Sequence, residues 1–264
     1  MKRVFTRELE FGVVDQGAGS PLVFVHGFPL NHSMWNAQIP VFAERHRVIA
    51  PDLRGFGESV DTEGTVSMED FADDLAAILD HLHVSEPVVL CGLSMGGYIA
   101  FHFVRKYRPR LRGLVLCDTR ASADVPEVVE NRLRIAKLVI ESGTQPVADA
   151  MLPKAFAPKT FADRPEVVEA VRGMMISSDP TGVAAASRGM AERPDMTPLL
   201  STIDVPTLVV VGADDALTTV DEMRRMAAAI PEAKFKIVPE AGHLSPLENP
   251  PVFNATLANF LDGL

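Results

Sequence analysis

Ser94 stands in the run Gly92-Leu93-Ser94-Met95-Gly96, between an apolar stretch, Pro87 to Gly92, and a helical pattern that starts at Met95. The spacing G-x-S-x-G is that of a nucleophile elbow. So tight a turn forces the serine into an unfavourable backbone conformation, typically costing ~1–3 kcal/mol, and leaves room only for hydrogen two residues to either side. The hydroxyl is lifted out of the turn. The N–H of Met95 points to the same place, with the helix N-terminus behind it. A phosphate-binding loop fits less well, because no Gly-Lys-Ser/Thr ending follows.

A serine hydroxyl needs a base before it can attack. Of the seven histidines, His243 in PEAGHLSPLENP follows the last predicted strand and precedes the last predicted helix. That places it at the sheet edge where Ser94 emerges. His26 belongs to a His-Gly turn and reads as support for it, while His32, His46, His81, His83 and His102 fall on helices or surface-like loops. The base in turn needs a carboxylate to fix its tautomer and stabilise the imidazolium. Asp214 and Asp215 follow the strand Pro206 to Gly212, and Asp118 ends the strand LRGLVLCD; all three qualify. A tetrahedral intermediate also needs hydrogen-bond donors. HGFPL, after the strand that starts at Pro21, offers the N–H of Phe28 beside that of Met95. Losing one such donor typically costs ~3 kcal/mol of transition-state stabilisation.

These groups meet only if the elements between them carry each to one rim. Short apolar runs alternate with longer helical patterns. Arg3 to Glu8, Leu9 to Asp15, Pro21 to Gly27, His46 to Asp52, Pro87 to Gly92, Leu111 to Asp118, Pro206 to Gly212 and Lys234 to Pro239 read as strands. Ser67 to His83, Met95 to Arg108, Val220 to Ile230 and Val252 to Leu261 read as helices. Strands this apolar are buried on both faces, which implies a mostly parallel sheet with helices on each side. Ligands of such sheets bind beyond the carboxyl ends of the strands, where Ser94 and His243 lie. The stretch from about Arg120 to Leu200 breaks the rhythm: helical patterns, scattered prolines and no convincing strand. It reads as a helical insertion over one edge of the sheet.

With 264 residues, 47% of them apolar, the chain suits one large domain carrying an insertion. A net charge of -10 argues against sequence-independent nucleic-acid binding, which needs a basic face. Cys91 and Cys117 read as buried thiols, and no Cys/His cluster has zinc spacing. The opening MKRVFTRELEFGVV has no apolar run behind its basic residues, and no stretch reaches the length of a membrane span. A cytoplasmic location and no membrane partner are the expectations.

VHGFP (Val25 to Pro29), PDLRGFGES (Pro51 to Ser59), GLSMGG (Gly92 to Gly97), VGADD (Val211 to Asp215) and AGH (Ala241 to His243) together resemble the motifs of the α/β-hydrolase superfamily over nearly the whole chain. The resemblance implies an α/β fold with a mostly parallel eight-stranded sheet. It implies a core at 1–119 and 201–264, and a helical cap at 120–200 inserted after the sixth strand. It selects Asp215, three residues after the glycine that ends its strand, as the acid beside Ser94 and His243. It makes Phe28 and Met95 the oxyanion donors and implies no metal or cofactor. HGFPLNHSMW and AGHLSPLENP look most like carboxylesterases and enol-lactone hydrolases of aromatic degradation, including 3-oxoadipate enol-lactonases. Leu93 departs from many relatives, which have histidine there. The serine excludes the dehalogenases and epoxide hydrolases of this fold, whose nucleophile is aspartate.

The expected activity is therefore that of a serine carboxylesterase on a small, mainly apolar ester. Other expectations of the same fold are an enol-lactonase, a carbon–carbon bond hydrolase, a cofactor-free haloperoxidase or perhydrolase, and a small-molecule receptor. Substrate contacts are expected from Phe28, Trp35, Met151, Met174 and Leu217. Met151, Met174, Met175, Met190 and Met196 in the insertion suit a forgiving apolar pocket. Arg120, Arg132 and Arg134 could hold a substrate carboxylate. The expected partner is a small-molecule ester or lactone, with a homo-oligomer left open.

Overall fold

The computed structural model of the chain describes residues 1–60 and 62–264. Eight strands form one sheet: β1 (Lys2–Thr6), β2 (Leu9–Gln16), β3 (Pro21–Val25), β4 (Arg47–Pro51), β5 (Val88–Leu93), β6 (Leu111–Cys117), β7 (Thr207–Gly212) and β8 (Lys234–Val238). Their order is β1-β2-β4-β3-β5-β6-β7-β8. β1 pairs antiparallel with β2, and β2 with β4; every other pairing is parallel. All residues of β3, β5 and β7 are buried, as strands covered by helices on both faces must be.

The helices are α1 (Ile39–Phe42), α2 (Met68–His81), α3 (Met95–Tyr107), α4 (Pro126–Ser142), α5 (Gln145–Ala155), α6 (Pro158–Asp163), α7 (Pro165–Ser177), α8 (Pro180–Ala191), α9 (Val220–Ala228), α10 (Ser245–Glu248) and α11 (Pro250–Leu261). α2 starts where its sequence says it should. The Ser67 hydroxyl accepts the N–H of Asp70 at 3.1 Å, and the Asp70 carboxylate accepts the N–H of Ser67 at 3.0 Å, satisfying donors at both ends of the first turn. Helices α4 to α8 follow one another between β6 and β7 with no strand among them.

The core has two halves, one on each face of the sheet. Phe71, Leu75, Ile99 and Phe103 from α2 and α3 pack on one. Trp35, Phe42, Phe253 and Leu257 pack on the other. The direction of winding reverses at β3, whose neighbours are β4 and β5. Val25 of β3 lies opposite Gly92 of β5, and Leu93 opposite Cys117 of β6. The residues that follow these strands, Gly27-Phe28, Ser94 and Asp118, are thus brought side by side at one rim, at the switch point where ligands of such sheets bind.

Candidate active site

Ser94 has φ 54° and ψ -110°, a left-handed conformation for a residue with a side chain. Its glycine neighbours explain how the chain tolerates this. A Cβ on Gly92 would lie 2.3 Å from the Gly96 carbonyl oxygen, and one on Gly96 would lie 2.4 Å from that of Val25. The strand, the helix and the neighbouring strand approach so closely that only hydrogen fits. The Thr119 hydroxyl donates to the Ser94 carbonyl at 2.7 Å and fixes the elbow from the next strand end.

His243 follows β8. Its Nε2 is 2.9 Å from Ser94 Oγ, and its Nδ1 is 2.9 Å from Asp215 Oδ2. Asp215 Oδ1 accepts the N–H groups of Leu217 at 2.7 Å and Thr218 at 2.9 Å, and Oδ2 accepts the Thr218 hydroxyl. Burial pushes the Asp215 carboxyl up, but the charge and hydrogen bond of His243 and the bonds from Thr218 outweigh it and hold it below its usual range. The anion therefore persists beside the imidazole.

The other two aspartates lie differently. Asp214 is exposed. Asp118 is fully buried and accepts the N–H of Gly212 at 2.8 Å and the Ser245 hydroxyl at 2.5 Å. Burial and the nearby Asp215 push its carboxyl well up. It ties the end of β7 to the turn after His243. His26 braces a different loop: its Nε2 accepts the N–H of Leu53 at 3.0 Å, so Nδ1 carries the proton toward the Gly27 carbonyl at 2.9 Å. Burial lowers its affinity for a second proton.

Among the described residues, neither the N–H of Phe28 nor that of Met95 is given to another protein group. Met95 follows the serine directly at the start of α3, and Phe28 lines the same cavity as Ser94.

Ser94 and His243 open into a cavity of about 520 Å³. Phe28, Met151 and Leu217 line it, as do Met175 and Met190. Trp35 and Met174 do not, which corrects the expectation for both. Trp35 is fully buried in the core, stacked on Phe24 with ring centroids 4.7 Å apart. Helix α7 turns the residue after Met174 toward the cavity and leaves Met174 against the second core half. Met196 also packs into the core.

Arg120, Arg132 and Arg134 all reach the lining. Arg120 pairs with Glu222, and Arg134 with Glu130. Arg132 shares the buried Asp124 with Arg193, whose guanidinium lies 4.1 Å from the centre of the Tyr98 ring. Tyr98 and Lys154 also line the cavity, and no carboxylate does among the described residues. Tyr98 lies one helical turn after Ser94, a spacing that could have revealed it. The Asp124–Arg193 pair spans 69 residues and leaves no local signal. Among the described residues no group of three or more His, Cys, Asp or Glu could hold a metal. Among the same residues no helix is long and apolar enough to cross a membrane.

The family described as alpha/beta hydrolase fold matches residues 20–250, and the chain belongs to it. It is an α/β hydrolase with esterase and enol-lactonase relatives. It is similar to 3-oxoadipate enol-lactonase 2 of Acinetobacter baylyi, with 32% identity over 92% of this chain and 88% of that one. Its structure is similar to a thermophilic esterase from Thermogutta terrifontis with malate bound, with a TM-score of 0.97 and 47% identity over 99% of this chain and 98% of the other. It is also similar to the enol-lactonase from Burkholderia xenovorans LB400, with a TM-score of 0.90 and 27% identity over 99% and 100% of the two chains.

Proposed function

We propose that the protein is a serine hydrolase that cleaves small carboxylic esters through an acyl-enzyme. The reading rests on one observation: Ser94 Oγ, the His243 ring and the Asp215 carboxylate form a continuous line with both contacts at 2.9 Å. His243 Nε2 takes the serine proton as Oγ attacks the ester carbonyl. Asp215 keeps Nδ1 protonated and stabilises the imidazolium. The negative oxygen of the intermediate rests on the N–H groups of Phe28 and Met95. His243 then passes its proton to the departing alcohol. A water molecule repeats the sequence on the acyl-serine, releasing the acid.

The apolar part of the cavity, with Phe28, Met151, Met175 and Leu217, suits short acyl and alcohol groups. The helices between β6 and β7 act in this reading as the cap that shapes the cavity.

A second reading is an ester or enol-lactone that carries a carboxylate. Four cationic side chains, Arg120, Arg132, Arg134 and Lys154, line the cavity with no acidic residue among the described lining, in a chain of net charge -10. The pairing of Arg132 supports it further. Asp124 balances one of the two guanidiniums it touches, so the buried cluster keeps an excess positive charge beside the cavity. Esterase and enol-lactonase relatives bracket the two readings.

One experiment tests both: kcat/KM for p-nitrophenyl acetate and butyrate against an enol-lactone bearing a carboxylate, with Ser94→Ala as control. The first reading expects turnover of the neutral esters that vanishes in Ser94→Ala. The second expects the acidic lactone to be preferred at least ~10-fold, with the preference lost in Arg132→Gln; a bond to a charged group is worth about 1.5–3 kcal/mol. Unchanged ester turnover in Ser94→Ala would sink the acyl-enzyme reading.

A further inference from the structure

Glu248 ends α10, five residues beyond His243, and is 5% exposed. Its carboxylate forms no ion pair with a Lys, Arg or His among the described residues, yet it is fully furnished with donors. Oε1 accepts the N–H of Gly242 at 2.8 Å and of Leu244 at 3.2 Å, the two residues flanking His243. Oε2 accepts the N–H of Ala157 at 2.8 Å, from the turn before α6, and the Thr160 hydroxyl at 2.6 Å, from the first turn of α6.

The N–H of His243 itself donates to the Ala155 carbonyl at 2.9 Å. The two backbones touch: a Cβ on Gly242 would lie 2.7 Å from the nitrogen of Ala157. Arg164 closes the far side by donating to the carbonyls of Leu247 and Glu248, at 3.2 and 2.7 Å. A buried carboxylate without a cation is costly unless hydrogen bonds replace the water it lost. Here most of those bonds come from main-chain groups, whose positions cannot adjust independently.

We propose that Glu248 is a positioning residue for His243: it clamps the two peptide groups around the imidazole to the start of α6, so that the helices between β6 and β7 help set the imidazole's aim at Ser94. The inference rests on the reading of Ser94, His243 and Asp215 as the reacting line. Glu248 touches no substrate. Its contribution is therefore expected in the chemical step rather than in binding, because displacing a catalytic group by about 1 Å costs up to ~100-fold.

The test is kcat and KM for p-nitrophenyl acetate in wild type, Ser94→Ala, Glu248→Gln and Glu248→Ala, with thermal unfolding as the fold check. Glu248→Ala leaves four donors without an acceptor, and kcat is expected to fall ~10- to 100-fold with KM within about threefold. Glu248→Gln keeps the shape but offers its one oxygen to only one pair of donors. It is expected to recover part of that loss and to remain at least ~3-fold below wild type in kcat.

Folded variants with wild-type kcat overturn the proposal. So does a loss carried by KM alone, which would make Glu248 a shaper of the cavity. If Glu248→Ala does not fold, the glutamine variant decides; if that also fails to fold, Glu248 serves folding and the positioning role is rejected. Turnover that survives in Ser94→Ala would instead remove the underlying catalytic reading, a result the Glu248 variants cannot produce.

Discussion

At Asp215 the carboxylate, the imidazole and three donors from the following turn meet within hydrogen-bond distance. Asp215→Asn keeps the shape but removes the acceptor that holds Nδ1 protonated, so the imidazole is free to adopt the wrong tautomer. A drop in kcat of up to ~10⁴-fold on short esters is expected, as for the equivalent change in a triad protease. Asp214→Asn is expected to leave kcat within about twofold, because that side chain is exposed. Steady-state kinetics on the two variants separates them, and the reverse pattern would reassign the acid. Ser94 and His243 could be found in the sequence because an elbow and a loop after the last strand admit few alternatives. The choice among Asp118, Asp214 and Asp215 could not be made by physics alone, since all three end strands at one rim. What separates them is a turn: Thr218 and Leu217 point N–H groups at residue 215.

Elements were legible where local patterns decide them. Apolar runs marked the central strands, alternation of apolar with charged residues marked the more exposed β1 and β8, and Ser67 with Asp70 marked the start of α2. The helices between β6 and β7 were legible as helices, but their rotation was not. Nothing in Met174-Met175 says which of the two faces the cavity, because both flanking faces of α7 pack against something apolar. Trp35 failed for a related reason: a large apolar residue after a catalytic loop looks the same in sequence whether it lines a cavity or fills a core. The fit of α8 was equally hidden. Gly189 looks like a weak spot in a helix, yet a Cβ there would lie 1.7 Å from the Val66 carbonyl oxygen. The adjoining turn of α8 accepts the N–H of Val66 at Ala185, at 3.2 Å. Gly189→Ala, favourable by helix propensity, is instead expected to destabilise the protein by about 1–3 kcal/mol through overpacking. Urea unfolding measures it, and a gain in stability would show that α8 is free to move away.

Across the whole molecule, pH acts also through a buried group outside the cavity lining. Burial, with Arg105 adding to it, holds the His102 imidazole at about 4 against its usual 6.5. The unfolded chain therefore takes up this proton more readily than the folded one. Stability from this source is complete above pH 6.5 and drains away as pH falls toward about 4. His102→Gln is expected to flatten the decline of the unfolding midpoint across that window; an unchanged slope would assign the loss to other groups. Heat acts on a different weakness. The positive φ of Ser94 is kept by the fold only because its neighbours enforce it. Such a conformation costs about 1–3 kcal/mol, and glycine would adopt it freely, giving back part of the gain as extra freedom of the unfolded chain. Ser94→Gly should then be inert toward esters and yet melt later than the working enzyme, by the equivalent of about 1 kcal/mol. Reactivity and endurance would be opposed at this single position, the durable version of the molecule being the one that has lost its chemistry.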